Sequence, residues 1–290
     1  MKSTLIPLFL PSLALATAIP RSSPSSSSSD IDAVLAGSAS CASNAVVFAR
    51  GTFDTGNLGV WVGPFLRSSL QAAFDAPVHV QGINQEDYPA TLEGYAKEGG
   101  SESCADACAR LVDGYVEACP GAEVFVSGWS QGALCAHKCV NRISSASRQQ
   151  LKGLATFGDE NALMDDPSPV PAGLPFKAWC NDDNASPDLL CTETALSGVD
   201  LPSSISDWKD DVYENLSLLK DVARNSEQVR AATSIPVSIL REFFGVSKYF
   251  LQDVATGNVR RWLVLPPHFV YGNNGMADEA ARWMASLASA

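Results

Sequence analysis

The sequence predicts an α/β protein with a doubly wound, mostly parallel sheet flanked by helices and a helical insertion. Two observations carry this prediction. Short runs rich in β-branched and aromatic residues alternate with segments whose apolar residues recur every three or four positions, which is typical of parallel βαβ units. In addition, the 290-residue chain is 46% hydrophobic, and this is enough for one large core.

Strands and helices are expected in alternation. Strands are predicted where a β-branched run ends in turn residues, at 44–49, 77–82, 122–126, 154–157 and 176–180. Helices are predicted from apolar periodicity, at 60–74, 103–118, 131–143 and 276–287. An acidic amphipathic stretch at 207–222 and an apolar stretch at 235–251 precede the last helix. Ligands of such sheets bind beyond the carboxyl ends of the strands, so the candidate site is expected in the loops there.

Charge and cysteine content narrow the class of protein. The chain has 32 acidic and 20 basic residues, a net charge of −12. Such a surface repels a phosphate backbone, so we expect no nucleic-acid partner. Eight cysteines are more than a reduced cytosolic enzyme usually has. The composition therefore indicates a secreted, acidic, globular protein, which we expect to be a monomer.

The first 30 residues are expected to lie outside the catalytic domain. Residues 1–18 combine Lys2, a short apolar run and an Ala-Thr-Ala cleavage pattern, as in a secretory signal peptide. That run is shorter than the about 20 residues that span a bilayer, and we expect no transmembrane segment. Residues 19–30 read as a serine-rich pro-segment or linker, because this composition buries no core. One catalytic domain is predicted over 31–290.

The strongest chemical signal is a G-x-S-x-G motif centred on Ser130. It lies between a predicted strand and a predicted helix, which is the context of a nucleophile elbow. Its glycines let the strand turn abruptly into the helix and leave the serine hydroxyl exposed at the sheet edge. The motif predicts a nucleophilic Ser130, and a Gly-Ser turn without chemistry is the alternative.

A nucleophilic serine needs a general base, and the chain has three histidines. His137 lies about two helical turns beyond Ser130 and is expected on the helix surface. His79 lies in a predicted strand before the serine. Because the order in this kind of fold is serine, acid, histidine, His268 is the predicted base. The dispersed histidines match no zinc motif, and we expect neither a metal nor a cofactor.

The acid that orients the base is expected between the serine and His268 in the sequence. The loop after the last predicted strand carries Asp182, Asp183 and Asp188. A disulfide across this loop would hold a carboxylate where the imidazole needs it. The loop after the preceding strand carries the reserve candidates Asp159, Asp165 and Asp166. Composition does not choose among these six residues.

Four separated segments carry a family resemblance: 49–52 with 55–59, 120–132, 180–191 and 268–272. In this order they resemble the oxyanion loop, the nucleophile segment, the acid loop and the histidine segment of the fungal cutinases. These are small serine esterases of the α/β-hydrolase type. Trp129 stands where tyrosine is usual in that family.

The resemblance implies that Ser130 is the nucleophile, Asp188 the acid and His268 the base. It also implies an oxyanion hole formed by the backbone N–H groups of Thr52 and Gln131, with the Thr52 hydroxyl as a third donor. The mechanism would be two-step acyl transfer through an acyl-enzyme.

The resemblance also implies two disulfides, Cys41–Cys119 and Cys180–Cys191. The other four cysteines form two pairs at four-residue spacing, each on one face of a predicted helix. If these helices are neighbours, the expected disulfides are Cys104–Cys135 and Cys108–Cys139. Glycosylation sequons begin at Asn184 and Asn215, and Pro187 follows the first.

The chain departs from the family pattern in three places. Its acid loop is longer than usual, which keeps Asp182 and Asp183 open. Tyr95 stands near the oxyanion residues where the family usually has asparagine. His268 follows Cys191 by 77 residues, where the family has a short connection. This insertion, 192–264, is expected either to be a helical lid that favours lipid-like esters or to pack away from the cleft.

The leading hypothesis is a secreted serine esterase that hydrolyses cutin polyester or related esters through an acyl-enzyme on Ser130. A second hypothesis keeps the triad and assigns acetylated xylan or triacylglycerol as the substrate. A third, from another class, is a non-catalytic binding or surface protein that has retained the fold.

Overall fold

One parallel sheet lies at the centre of the computed structural model, which describes residues 25–183, 186–192, 201–263 and 265–288. Within these residues the strands are β1 (Asn44–Ala49), β2 (Val78–Gly82), β3 (Glu123–Trp129), β4 (Leu151–Phe157) and β5 (Phe176–Trp179). They lie in the order β2-β1-β3-β4-β5, and neighbouring strands are parallel. The chain runs outward from β1 to β2 and then outward from β3 to β5, so the sheet is doubly wound, as predicted.

Helices cover both faces of the sheet. They are α1 (Asp30–Leu35), α2 (Gly63–Ala73), α3 (Leu92–Ala96), α4 (Glu102–Ala118), α5 (Gln131–Arg142), α6 (Ile205–Val222), α7 (Ser226–Thr256) and α8 (Met276–Leu287). Val46 and Phe48 of β1 point into the core under α2 and α8, whereas Val47 points into the core under α4 and α5. Burial on both faces explains why the central strand β1 is a nearly continuous apolar run in the sequence.

The predicted elements of the sheet and its flanking helices are present, with ends that differ by at most three residues. The larger difference is α7, which begins at Ser226 and continues through Pro236. The Asn225 side chain caps this helix by accepting from the N–H groups of Glu227 and Gln228, which fixes the earlier start. Helices α1 and α3 were not predicted, because six and five residues are too few to show a helical period.

The segment before α1 differs from the expected linker. Ser28 is buried, and it exchanges two hydrogen bonds of 2.8 Å with the side chain of Asn57. Ser29 forms an antiparallel bridge with Gln81 of the edge strand β2. Packed structure therefore begins before residue 31. The serine-rich composition does not indicate it, because these bonds are made by the backbone of the segment and need no apolar side chains. The signal peptide expected over 1–18 lies outside the described residues.

The expected insertion contains α6, α7 and a short 3₁₀ helix, Val259–Trp262. Trp208 of α6 stacks on Phe243 of α7 with 4.2 Å between ring centroids, and Phe250 and Trp262 complete the aromatic cluster. These residues belong to the same hydrophobic core as the α2 and α8 face of the sheet. The two long helices are therefore packed on the body of the domain.

All eight cysteines are in disulfides: Cys41–Cys119, Cys104–Cys135, Cys108–Cys139 and Cys180–Cys191. These are the expected pairs, and two of them join α4 to α5. Asn215 lies on α6, where its Nδ2 donates to the Asp211 carbonyl at 2.9 Å, and its glycosylation stays a prediction. Asn184 is outside the described residues. No helix in the described part of the chain is long and apolar enough to cross a membrane.

Candidate active site

Ser130 lies in the sharp turn between β3 and α5, with φ 57° and ψ −128°. A non-glycine residue at positive φ is strained and persists only where its surroundings hold it. The flanking glycines are required sterically. A Cβ on Gly128 would lie 2.1 Å from the Gly132 carbonyl, and one on Gly132 would lie 2.1 Å from the Ala49 carbonyl. The motif thus has the geometry of a nucleophile elbow at the carboxyl end of a central strand.

Asp188 and His268 form a buried pair beside this turn. His268 Nδ1 lies 2.7 Å from Asp188 Oδ2, and the Tyr271 hydroxyl donates to the same oxygen at 2.5 Å. Burial opposes ionisation of Asp188, but the charge and hydrogen bond of His268 hold its pKa below the usual value. Burial likewise opposes protonation of His268, but attraction to Asp188 holds its pKa above the usual value. The geometry orients the imidazole and stabilises its protonated form.

Among the six carboxylates considered from the sequence, Asp188 is the one that contacts His268. Asp182, Asp183 and Asp166 are exposed. Asp165 is also exposed and accepts from Asn258 Nδ2 at 3.2 Å. The fifth of these remaining carboxylates, Asp159, bonds to a different histidine.

The expectation that His137 lies on the helix surface is wrong. Its residue exposure is 2%, and its Nε2 lies 2.7 Å from Asp159 Oδ2. The ring also packs against Phe176 of β5, because this face of α5 is turned toward the sheet. His79, the strand residue, lies with Nδ1 3.0 Å from the Tyr115 hydroxyl. Neither histidine contacts Ser130.

Thr52 and Gln131 lie together beside Ser130. Gln131 is the first residue of α5, so its N–H has no acceptor within the helix. The Thr52 hydroxyl donates to Gln131 Oε1 at 3.2 Å, and Gln131 Nε2 donates to the Thr91 carbonyl at 3.1 Å. These bonds hold the two expected oxyanion residues against each other.

Glu160, a residue that the sequence analysis did not identify, faces Ser130. Ser130 Oγ donates to Glu160 Oε1 at 3.1 Å, and His268 Nε2 lies 3.8 Å from the same oxygen. Burial raises the pKa of Glu160 to about 7. Its position could have been noticed, because Glu160 adjoins the candidate Asp159 at the carboxyl end of β4, where ligands of such sheets bind.

A small apolar cavity separates Ser130 from the insertion. Its volume is about 80 Å³, less than the about 150 Å³ of a protein cavity that binds benzene. Residues from two parts of the chain line it. Those outside the insertion include Thr52, Phe53, Tyr95, Trp129, Ser130, Glu160 and His268, and those in the insertion include Trp208, Ile235, Ile239, Trp262 and Leu263. Within the described residues no group of three or more His, Cys, Asp or Glu side chains is arranged to hold a metal ion.

Comparisons with known proteins all point to one family. The cutinase family model matches residues 40–201, which is more than half of the chain and ends before α6. Cutinase CUT1 of Coprinopsis cinerea is 38% identical over 148 residues, which cover 50% of this chain and 68% of that protein. Cutinase 4 of Emericella nidulans is 32% identical over 189 residues, which cover 65% of this chain and 74% of that protein.

A solved structure is also similar in fold. A Trichoderma reesei cutinase in complex with a C11Y4 phosphonate inhibitor matches with a TM-score of 0.50 and 21% identity, over 90% of this chain and 85% of that one. Together with the family model and the sequence relatives, this fold leads to one conclusion. The chain belongs to the cutinase family and is a carboxylic-ester hydrolase.

Proposed function

We propose that this protein is a secreted serine esterase that hydrolyses lipid-like carboxylic esters, cutin polyester foremost, through an acyl-enzyme on Ser130. The observation that carries the proposal is the strained Ser130 beside the buried Asp188–His268 pair at the carboxyl edge of the sheet. Strain of this kind is retained where function requires it. The relatives named cutinases support the choice of polyester.

In the proposed mechanism His268 Nε2 accepts the Ser130 proton while Ser130 Oγ attacks the ester carbonyl. Asp188 holds Nδ1–H and stabilises the imidazolium that forms. His268 then protonates the leaving alcohol, and water repeats the sequence to release the acid and restore Ser130. Before the attack, the Ser130 hydroxyl donates to Glu160 Oε1, and His268 Nε2 lies 3.8 Å from that oxygen. For the attack, the hydroxyl turns from Glu160 toward His268 Nε2.

The developing oxyanion would be bound by the backbone N–H groups of Gln131 and Thr52. Donors fixed in a buried site stabilise this charge without reorganising, and loss of one typically lowers kcat by about 10²–10³. The hydrogen bond between the Thr52 and Gln131 side chains, with that of Gln131 to the Thr91 carbonyl, provides the rigidity that such a site needs.

The polarity of the cavity favours a lipid-like acyl group over a sugar ester. Phe53, Trp208, Ile235 and Ile239 form the apolar part of the lining near Ser130, and this part of the cavity offers no hydrogen-bond partners to sugar hydroxyls. Burying such hydroxyls without hydrogen bonds is unfavourable. Acetylated xylan is therefore the less favoured of the substrates considered.

The insertion is proposed to act as a lid. Helices α6 and α7 contribute one side of the cavity beside Ser130, so movement of these helices would change the space open to a long acyl chain. Separately, the outer face of α7 carries a stripe of exposed residues at helical spacing, here called the outer stripe: Arg230, Val237, Arg241, Phe244, Lys248 and Leu251. Apolar and basic residues combined on one helix face are typical of contact with an anionic lipid surface.

Secretion is proposed from the expected signal peptide together with the four disulfides, which persist in oxidising compartments. Expression of the full chain with analysis of the N-terminus of the exported protein tests this. Cleavage after Ala18 is expected, and retention of residues 1–18 in a cell-associated protein would contradict it.

A serine-directed phosphonate probe tests the catalytic assignment. The wild-type protein is expected to be labelled stoichiometrically, and Ser130→Ala to be neither labelled nor active. A folded wild-type protein that resists labelling would favour the binding-protein hypothesis instead. Nitrophenyl esters of graded chain length, with cutin and acetylxylan alongside, test the substrate class. A preference for acetylxylan would overturn the lipid-like assignment.

A further inference from the structure

The hydroxyl of Tyr95 lies within hydrogen-bond distance of two oxygens, and either of them could accept its proton. One is the Arg261 carbonyl, at 2.6 Å, and the other is Glu160 Oε2, at a shorter distance. A phenol has one proton to donate. If Glu160 were ionised, one of the two acceptors would face the Tyr95 oxygen without a proton between them, and all of these groups are buried.

Both contacts are satisfied if Glu160 carries a proton. In that arrangement Tyr95 donates to the Arg261 carbonyl, Glu160 Oε2–H donates to the Tyr95 oxygen, and Glu160 Oε1 accepts from Ser130 Oγ. A neutral carboxylic acid has the donor and the acceptor that this requires. The burial that raises the pKa of Glu160 to about 7 favours the same state.

The surrounding charges leave Glu160 without a cation of its own apart from His268. The Arg261 guanidinium is paired with Asp253 of α7 at 2.6 and 2.9 Å. Among the described residues, His268 is the basic group within 4 Å of the Glu160 carboxyl, and it is already paired with Asp188. The Asp188 carboxylate is the nearby anion whose charge adds to the raised pKa of Glu160, and the phenols Tyr88 and Tyr271, which also interact with Glu160, are neutral.

We propose that Glu160 is a proton-holding positioning residue: as a neutral acid it connects Ser130 to Tyr95 and the insertion, and once ionised it competes with His268 for the Ser130 proton. This inference rests on the proposed function, because it concerns the same nucleophile. Glu160 acts through Ser130 and His268 and need not touch the substrate.

Loss of the Glu160 proton has two effects, and both lower the esterase activity. The carboxylate becomes a stronger acceptor for the Ser130 hydroxyl, since hydrogen bonds to ionised groups are the stronger ones. It also favours the imidazolium form of His268, which delays the appearance of the neutral base as the pH rises. Because the two groups interact, their protons leave in two macroscopic steps that belong to the pair.

The pH dependence of kcat/KM for Glu160→Gln tests the inference. The glutamine amide reproduces the hydrogen bonds of the neutral acid, with Nε2–H toward Tyr95 and Oε1 toward Ser130, but it does not titrate. We expect the acid limb of the variant to have a single ionisation, with its midpoint lower than in the wild type by up to about one pH unit. Above neutral pH, the wild type is expected to be less active than the variant. Coinciding wild-type and variant profiles would overturn the inference.

Tyr95→Phe separates the two possible protonation states of Glu160. If the neutral acid donates to the Tyr95 oxygen, removing that oxygen takes away its acceptor and lowers the pKa of Glu160. If instead the carboxylate accepts from Tyr95, the same substitution removes a donor to the anion and raises this pKa. A lowered value is expected, and a raised one would refute the inference.

Unfolding by urea as a function of pH reads this pKa without any enzyme activity. The folded-state pKa of Glu160, about 7, is above its ordinary value of 4.5. Its contribution to stability is therefore full below pH about 4.5 and is lost as the pH rises through about 7. Across this window the urea midpoint of the wild type should fall relative to that of Glu160→Gln. In Tyr95→Phe the same fall should occur at lower pH, because the pKa of Glu160 is expected to be lower in that variant.

These measurements distinguish the two proposals. Ester hydrolysis that persists in Ser130→Ala would refute the proposed function and leave the stability readout intact. Loss of activity in Ser130→Ala, together with a constant difference in urea midpoint between the wild type and Glu160→Gln, would refute the role of Glu160 alone.

Discussion

Phe244 is the most exposed large apolar residue of the outer stripe, with 76% of its surface accessible. Burying a whole phenylalanine side chain contributes about 1.5–3 kcal/mol, so about three quarters of it, inserted into a lipid surface, contributes about 1–2 kcal/mol. Phe244→Ser is thus expected to weaken binding to anionic vesicles by about 5- to 30-fold. The stability of the fold should change little, because the side chain is mostly exposed and its ring contacts the end of Lys209 at 5.3 Å.

Vesicle co-sedimentation measures the binding, and hydrolysis of an emulsified long-chain ester against a soluble short-chain ester measures its consequence. Phe244→Ser should reduce activity on the emulsion and retain activity on the soluble ester. Leu35→Ser is the matched control, because Leu35 is also exposed, at 44%, but lies on α1, which packs against α4 rather than against the insertion. Equal losses in the two variants, or an unchanged affinity of Phe244→Ser, would refute the proposed lipid contact of the outer stripe.

Three further predictions concern the triad and the disulfides. Asp188→Asn should lower kcat by about 10⁴, as replacement of the acid by an amide does in a serine protease, and a loss below tenfold in steady-state assays would exclude Asp188 as the acid. Tyr271→Phe removes a donor from the Asp188 oxygen that also accepts from His268. The imidazolium should then be better stabilised, and the acid limb of kcat/KM should move to higher pH; movement to lower pH would contradict this. Replacing Cys104 and Cys135 by serine should lower the free energy of unfolding by about 2–4 kcal/mol, measured by urea denaturation, and an unchanged midpoint would show that this disulfide contributes no stability.

The sheet, and the proximity of the candidate residues Ser130 and His268, could be predicted because their signals are local. Strand β1 and helix α8 have the predicted bounds, since each is a short run with one clear period and turn residues at its ends. Ser130 and His268 were found from one motif and from the small number of histidines. Asp188, in contrast, was singled out only by family resemblance, because nothing in the composition distinguished it from five other carboxylates.

The residues that escaped prediction depend on contacts between distant segments. Glu160 is 30 residues from Ser130 and 65 from Tyr95, and its burial follows from the packing of the insertion over the site. His137 was assigned to the surface because its helix was considered alone, without β5 and Asp159 beside it. In both cases the side chain is polar and its buried partner is remote in sequence, so no periodic pattern reports it.

Tyr95, Glu160 and the insertion form one hydrogen-bonded unit. Tyr95 bonds to Glu160 and to the Arg261 carbonyl, and the Arg261 side chain bonds to Asp253 of α7. At the other end of α3, Glu242 of α7 accepts from the Leu92 N–H at 2.8 Å, so α7 also holds the helix that carries Tyr95.

Removing one member of this unit leaves buried polar partners unsatisfied, which is more destabilising than removing both members of a pair. The substitutions Tyr95→Phe and Glu160→Gln should therefore be non-additive in the free energy of unfolding, with the double variant less destabilised than the sum of the single ones. Additive effects would mean that the two side chains are independent. Coupling would mean that the Tyr95 phenol links the insertion to the carboxyl that faces Ser130.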